Sequence, residues 1–167
     1  MRRILGVDLG ERRIGIAVAD GDGGRAMPLT TLRRAATADG DATAIVRLAE
    51  EQAAGELIVG LPLNADGSSG TQAQITREWV ATVAPLLAGL AITLRDERLT
   101  SHLAEERIGP MKRGRSGGPP SRTQRDAHRA RVDREAAAII LQDELDARAL
   151  DPANRGPDAD HGMETTR

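Results

Sequence analysis

Runs of apolar residues, bounded by turn-forming Gly, Pro and Asp, predict five strands along the chain. The predicted strands span residues 4–8, 13–20, 26–32, 57–61 and 91–95. Short turns join the first three, so we expect them to pair as consecutive antiparallel strands. The fourth is wholly apolar, which is typical of a central strand covered on both faces.

Apolar residues at helical spacing predict four helices. Three of them span residues 41–54, 101–108 and 132–149, and one passes through Ile75, Trp79 and Val83 and ends near Pro85. Strands at the start, followed by alternating helices and strands, predict a mixed five-stranded α/β sheet with flanking helices. We expect residues 1–150 to form one domain. Residues 151–167, with Pro, Gly and Asp but few apolar groups, predict a disordered tail.

The composition narrows the chemistry that the chain can support. Its 167 residues include no cysteine and three scattered histidines, which excludes thiolate metal sites and disfavours a histidine-rich one. Metal chemistry would therefore rest on carboxylates, which bind hard ions such as Mg²⁺ or Mn²⁺. Because the chain has no Phe or Tyr and a single Trp, we do not expect it to recognise nucleic acid with a platform of stacked aromatic residues.

The sequence also bears on where the protein acts. No apolar run is long enough to span a membrane. Arg2 and Arg3 follow the initiating residue and leave no apolar core for a signal peptide at that point. We therefore expect a cytoplasmic protein that makes no contact with membranes.

The formal net charge of −2 hides a basic segment. Between residues 107 and 134 there are nine Lys or Arg and two acidic residues. A block of this kind usually forms a solvated, mobile loop. Here it precedes and surrounds a candidate metal ligand, which favours contact with phosphates. We expect Arg113, Arg115 and Arg122 to take part in these contacts.

Three carboxylates lie where metal ligands are found in α/β proteins. Asp8 ends the first strand, Glu97 closes the last one together with Asp96, and Asp133 lies near the predicted start of the final helix. Each has an ordinary explanation alone, as a turn former, a charged strand end or a partner of the helix dipole. If they converge, they would repel one another unless cations neutralised them. Such a cluster commonly holds two metal ions, roughly 3.5–4 Å apart, for phosphodiester hydrolysis.

Several blocks of the chain resemble the YqgF/RuvX family. They are ILGVDLG at 4–10, RIGIAV at 13–18, VGLPLNADGS at 59–68, DERLTS at 96–101 and VDREAAAIILQ at 132–142. The blocks occur in the family's order and cover most of residues 3–145. Members of the family are described as nucleases of precursor 16S ribosomal RNA, and earlier as Holliday-junction resolvases.

The resemblance implies a ribonuclease H-like fold and a role in trimming the 5′ end of the small-subunit ribosomal RNA precursor. It places the family's three acids on Asp8, Glu97 and Asp133, as catalytic residues and metal ligands. Asp96 and Glu97 point to opposite faces of a strand, so only one of them is expected to bind metal directly.

Other residues near the acids are candidates for substrate binding. Arg12, Arg13 and Arg98 flank the carboxylates and could hold phosphate oxygens or pair with the acids themselves. Asn64 could orient a phosphate, or its amide could complete a turn.

Three alternatives stay open at this point. A Holliday-junction resolvase would use the same fold and metals on branched DNA, and would need a homodimer rather than a monomer. An actin-like or sugar-kinase domain also has a strand that ends in Asp-Leu-Gly, but such proteins are far longer. A non-catalytic RNA-binding or transcription-linked factor would not need the acids at all.

Overall fold

A five-stranded mixed sheet, in the order β3-β2-β1-β4-β5, forms the centre of the protein. The computed structural model describes residues 2–21, 23–97, 100–114 and 117–150. The strands are β1 (Arg3–Leu9), β2 (Arg13–Asp20), β3 (Met27–Arg33), β4 (Ala54–Pro62) and β5 (Ala91–Glu97). β1, β2 and β3 are antiparallel neighbours, whereas β4 runs parallel to β1 and β5 parallel to β4. The mixed sheet predicted from the sequence is confirmed.

One face of the sheet packs against two helices, α1 (Ala38–Gln52) and α2 (Thr71–Val83), followed by a short 3-10 helix. The larger of the two main cores lies between these layers, and its sheet side comes from alternate residues of β1, β2 and β4. Trp79 belongs to this core and is only 7% exposed. Its indole nitrogen donates to the carboxylate of buried Asp41 at 3.1 Å.

The opposite face of the sheet is covered by the last helix, α4 (Arg122–Leu150), which also packs against α3 (Thr100–Ile108). α4 crosses the sheet from one edge to the other. Its Ala130 carbonyl accepts a hydrogen bond from Thr31 of β3, and its Glu144 pairs with Arg95 of β5. Where it crosses β1 the two backbones are close, since a Cβ added to Gly6 would lie 2.7 Å from the Ala137 oxygen.

α4 begins ten residues earlier than the apolar pattern predicts, at Arg122 instead of residue 132. Ser121 explains this start. Its hydroxyl accepts a hydrogen bond from the Gln124 amide, and the Gln124 side chain accepts one from the Ser121 amide, as in a capping box. Two consequences correct the sequence interpretation. Asp133 lies three turns inside the helix, away from its dipole end, and the basic segment is helical from residue 122 onward.

Among the described helices, none is long and apolar enough to cross a membrane. The predicted tail, residues 151–167, lies outside the described part of the chain.

Candidate active site

Two of the predicted acids lie at the same edge of the sheet. β1, β4 and β5 are parallel, so their carboxyl ends share one edge, with Asp8 near the end of β1 and Glu97 at the end of β5. A Cβ on Gly60 of β4 would lie 2.6 Å from Glu97 Oε2 and 2.5 Å from a methyl carbon of Ile140 in α4. Glu97 therefore points to the face that α4 covers.

Strand alternation places Asp8 on that same face. Asp8 lies two residues after Gly6, which contacts α4, and opposite Gly15 of β2. Asp96 belongs to the other face of β5 and is exposed. Of the two adjacent acids, Glu97 is therefore the one that faces Asp8.

Asp133 reaches this edge from above, because α4 lies directly on β2. A Cβ on Gly15 would be 2.0 Å from the Asp133 carbonyl oxygen, so only a glycine at this position permits the approach. Gly15 is the register partner of Asp8. One close contact between helix and strand thus brings Asp133 beside Asp8.

The proton affinities of two acids are strongly perturbed by this arrangement. Burial, and then the negative charge of Asp133, raise the pKa of Asp8 from 3.8 to about 7. Burial, and then the charge of Asp8, raise the pKa of Glu97 from 4.5 to about 8, against a hydrogen bond from the Thr100 side chain that lowers it. Both shifts show that the ionised forms lack enough stabilising partners. A cation would remove that deficit.

The side chains around the three acids compensate their negative charge only in part. Arg13 Nε donates to Asp133 Oδ2 at 2.5 Å. Glu97 Oε2 is buried and has no hydrogen-bond partner among the described residues. Within the same residues, no three His, Asp or Glu side chains are already arranged to hold a metal ion. Arg13 therefore neutralises Asp133 alone. Asp8 and Glu97 lie near each other without a cation, and Glu97 Oε2, which lies beside Gly60, has no hydrogen-bond partner among the described residues.

The other predicted site residues contact none of the three acids in the described structure, except Arg13. Arg12 is exposed in the turn between β1 and β2. Asn64 follows β4, and the adjacent Leu63 amide donates to the Glu97 carbonyl at 3.1 Å. The Asn64 amide, however, donates to Ser68 Oγ and so closes a turn. Arg113 precedes α4 and Arg122 begins it, and both are exposed. Arg98 and Arg115 lie outside the described residues.

Two glycines that shape the site were not singled out from the sequence, and neither was the contact that Thr100 makes with Glu97. Gly15 and Gly60 admit Asp133 and Glu97, and Thr100 bonds to the Glu97 carboxylate from the first residue of α3. Glycines inside strands signal a close approach of another group. That signal was present at both positions, although nothing in a single sequence says which group approaches.

The sequence model of the family described as "RuvX: Holliday junction resolvase" matches residues 2–147 of the chain. The chain belongs to the RuvX family.

Two relatives match this chain over nearly their whole length. A protein of Chloroflexus aurantiacus is 38% identical over 161 residues, covering 96% of this chain and 97% of the relative. One from an Anaeromyxobacter strain is 43% identical over 147 residues, covering 88% and 98%. Both carry the name "Putative pre-16S rRNA nuclease".

Comparison with a solved structure shows the fold of this chain. The chain resembles Thermus thermophilus RuvC, solved in complex with a Holliday junction substrate, with a TM-score of 0.52. The likeness covers 90% of this chain and 98% of RuvC at 11% sequence identity, so it establishes the fold and nothing finer. The fold is ribonuclease H-like, as the sequence resemblance implied.

Proposed function

We propose that the protein is a metal-dependent nuclease that hydrolyses phosphodiester bonds in the 5′ region of precursor 16S ribosomal RNA. The observation that carries the proposal is the pair of partly buried acids Asp8 and Glu97, with their raised pKa values and the buried, unpartnered Glu97 Oε2. The names of the relatives supply the substrate class. Such a role belongs to the cytoplasm.

The donor set suits Mg²⁺ or Mn²⁺, because all three candidate ligands are carboxylates. Asp8 and Glu97 would hold the metal, and Asp133 would join them once Arg13 turns away. Divalent ions at such a site activate a water molecule and stabilise the leaving oxygen. The acids must lose protons to bind the ion, so metal affinity falls as the pH drops below about 7.

In this proposal Arg13 can pair either with Asp133 or with a phosphate of the substrate. It is only about a quarter exposed and is bound to Asp133. If a divalent ion compensated the charge of Asp133, the Arg13 guanidinium would be free for a phosphate oxygen of the substrate, for which its planar fork is suited. Arg12 in the neighbouring turn, and Arg98, would assist there, while Asn64 keeps the adjacent turn in shape.

The second candidate is cleavage of branched DNA, which the description of the matching family favours. It requires two active sites acting on two strands, and therefore a homodimer. A nuclease for a single RNA strand can act as a monomer.

One assay separates these functions. The purified protein is incubated with a labelled 5′ fragment of precursor 16S ribosomal RNA, or with a four-way DNA junction, in Mg²⁺, Mn²⁺ or EDTA. We expect cleavage of the RNA with metal only, a loss of orders of magnitude in Asp8→Asn, and full activity in Asp96→Asn, which removes a neighbouring exposed carboxylate. Preferred cleavage of the junction would favour the resolvase instead. Full activity in folded Asp8→Asn would overturn the site, and binding without cleavage of either substrate would leave a non-catalytic factor.

A further inference from the structure

A shallow, open groove of about 440 Å³ lies between α3 and the first turns of α4. It is lined by His102, Glu105, Glu106, Gly109, Pro110 and His128. α3 begins at Thr100, whose side chain bonds to Glu97, so the groove starts two residues from a site contact. None of its lining residues belongs to the catalytic set described above.

Two histidine rings line the groove, the exposed His102 and the partly exposed His128. The chain has no Phe and no Tyr, and its single Trp is buried and bound to Asp41. His102 and His128 are therefore the two described residues whose rings are accessible to a planar ligand, and both line the same groove. The third histidine, at position 161, lies outside the described residues.

The other groups in the groove select the kind of ligand. Glu106 Oε1 lies 3.3 Å from His102 Nε2, and both side chains are largely exposed. Glu105 and Glu106 are carboxylates that repel phosphate, yet they accept hydrogen bonds from the amino groups of bases. Arginines suited to phosphate are nearby but outside the groove, with Arg125 and Arg129 exposed on α4. The acceptors suited to bases therefore lie inside the groove, and the arginines suited to phosphates lie outside it.

We propose that this groove binds an unpaired nucleobase of the RNA substrate, stacked on the imidazoles of His102 and His128. The inference rests on the proposed function, since it assigns a subsite to that same substrate. Unpaired bases are the parts of RNA that proteins stack on ring side chains, histidine included, and read along their edges. This proposal departs from the expectation that the chain does not recognise nucleic acid with stacked aromatic residues, because that expectation counted Phe, Tyr and Trp and left out the imidazoles.

The test measures binding in EDTA, where no cleavage occurs, with single-stranded RNA that carries the fluorescent base 2-aminopurine. The alanine pair, His102→Ala with His128→Ala, should bind roughly 5- to 150-fold more weakly than the parent and lose the quenching of the fluorophore that stacking causes. The phenylalanine pair, His102→Phe with His128→Phe, should retain both. Phenylalanine keeps a ring but can neither bind metal nor carry charge.

Each outcome decides the proposal. Equal affinity and quenching in the parent and the alanine pair would overturn the groove while leaving the nuclease intact. Equal weakening in both pairs would mean that the charge or the hydrogen bonds of the imidazoles matter, and it would overturn the stacking proposal. If the parent binds no RNA in EDTA but cleaves it with Mn²⁺, the groove proposal falls and the nuclease stands. If it also fails to cleave with Mn²⁺, the proposed function itself fails. Both single alanine variants, checked by thermal unfolding, cover the case in which a double variant does not fold.

Discussion

Asp8 and Glu97 hold protons at a pH where carboxyl groups on a protein surface are ionised. The folded structure removes them from water and sets them near each other and near Asp133, without enough positive charge to compensate. Arg13 contributes one cation, directed at Asp133. The site is therefore electrostatically unfavourable in the ionised, metal-free protein, and a divalent cation would reverse this.

The raised pKa values predict how stability depends on pH. Between the ordinary values, 3.8 and 4.5, and the folded values of about 7 and about 8, the folded state binds more protons than the unfolded state. The unfolding free energy of the metal-free protein should therefore fall as the pH rises from about 5 to about 8. Added Mn²⁺ should restore stability mainly at the upper end of this range, because it binds the ionised acids.

Urea unfolding followed by circular dichroism, in EDTA at several pH values, checks this. Asp8→Asn removes one of the two groups with a raised pKa and should flatten the decline. Asp96→Asn is the matched control: it lies one residue from Glu97 but is exposed on the other face of β5, so the decline should persist. A parent protein that gains stability toward pH 8 in EDTA would contradict the assignment.

The helix α4 connects the elements of the site, because successive turns contact successive strands. Gly15 and Gly6 allow its backbone to lie against β2 and β1. In these positions a methyl group would meet backbone atoms that cannot rotate away. The position of Asp133 relative to Asp8 is thus set by the absence of a side chain on the neighbouring strand.

We predict that Gly15→Ala displaces α4 and lowers cleavage activity by more than its loss of stability explains. Overpacking of this kind typically costs about 1–3 kcal/mol. Cleavage activity per folded molecule should fall at least tenfold, since a displacement of about 1 Å is enough for such losses. The control is Gly89→Ala. No atom lies within 4 Å of the new Cβ, but φ is +88°, so this substitution strains the backbone at a position outside the site. It should lower the melting temperature and leave activity unchanged, and the opposite ranking would refute the role of Gly15.

The elements differ in how far the sequence alone could predict them. The strands and the meeting of Asp8 with Glu97 follow from alternation and strand ends, which are local. The predicted start of α4 was wrong, because apolar residues recur at helical spacing only where the helix packs on the sheet, and residues 122–131 are mostly polar. The sequence signal for the true start was the capping pair Ser121 and Gln124. The pairing of Arg13 with Asp133, 120 residues apart, depends on tertiary contact, and no local pattern chooses between an acid and a phosphate.

On the scale of the whole molecule, charge is unevenly distributed. The net charge is −2, although residues 107–134 contain nine basic and two acidic side chains. Most of the chain is thus acidic, and the basic charge is concentrated at α4 and the residues before it. Arg122, Arg125 and Arg129 are exposed and share one face of α4, since they are three, four and seven residues apart. That face continues along the helix toward Asp133.

We predict that this arginine face supplies the salt-dependent part of RNA binding. Each phosphate contact releases condensed counterions, so replacing Arg122, Arg125 and Arg129 by Gln should reduce the slope of log affinity against log salt by about 2 on single strands. Phosphate contacts carry no sequence information, so the loss should be similar for unrelated RNA sequences. The chemical step at saturating RNA should be nearly unaffected, because these side chains lie outside the acidic cluster.

The matched control replaces three exposed arginines elsewhere, Arg25, Arg47 and Arg77, by Gln. This variant has the same net charge as the first but retains the basic face of α4, so a slope near that of the parent separates local contact from overall charge. Filter binding between about 50 and about 200 mM salt gives both slopes. If the two triple variants lose the same slope, overall charge explains the binding and α4 has no special part in it. If neither loses any, the basic segment is only a solvated surface, and the substrate must be held at the sheet edge by Arg12, Arg13 and the metal alone.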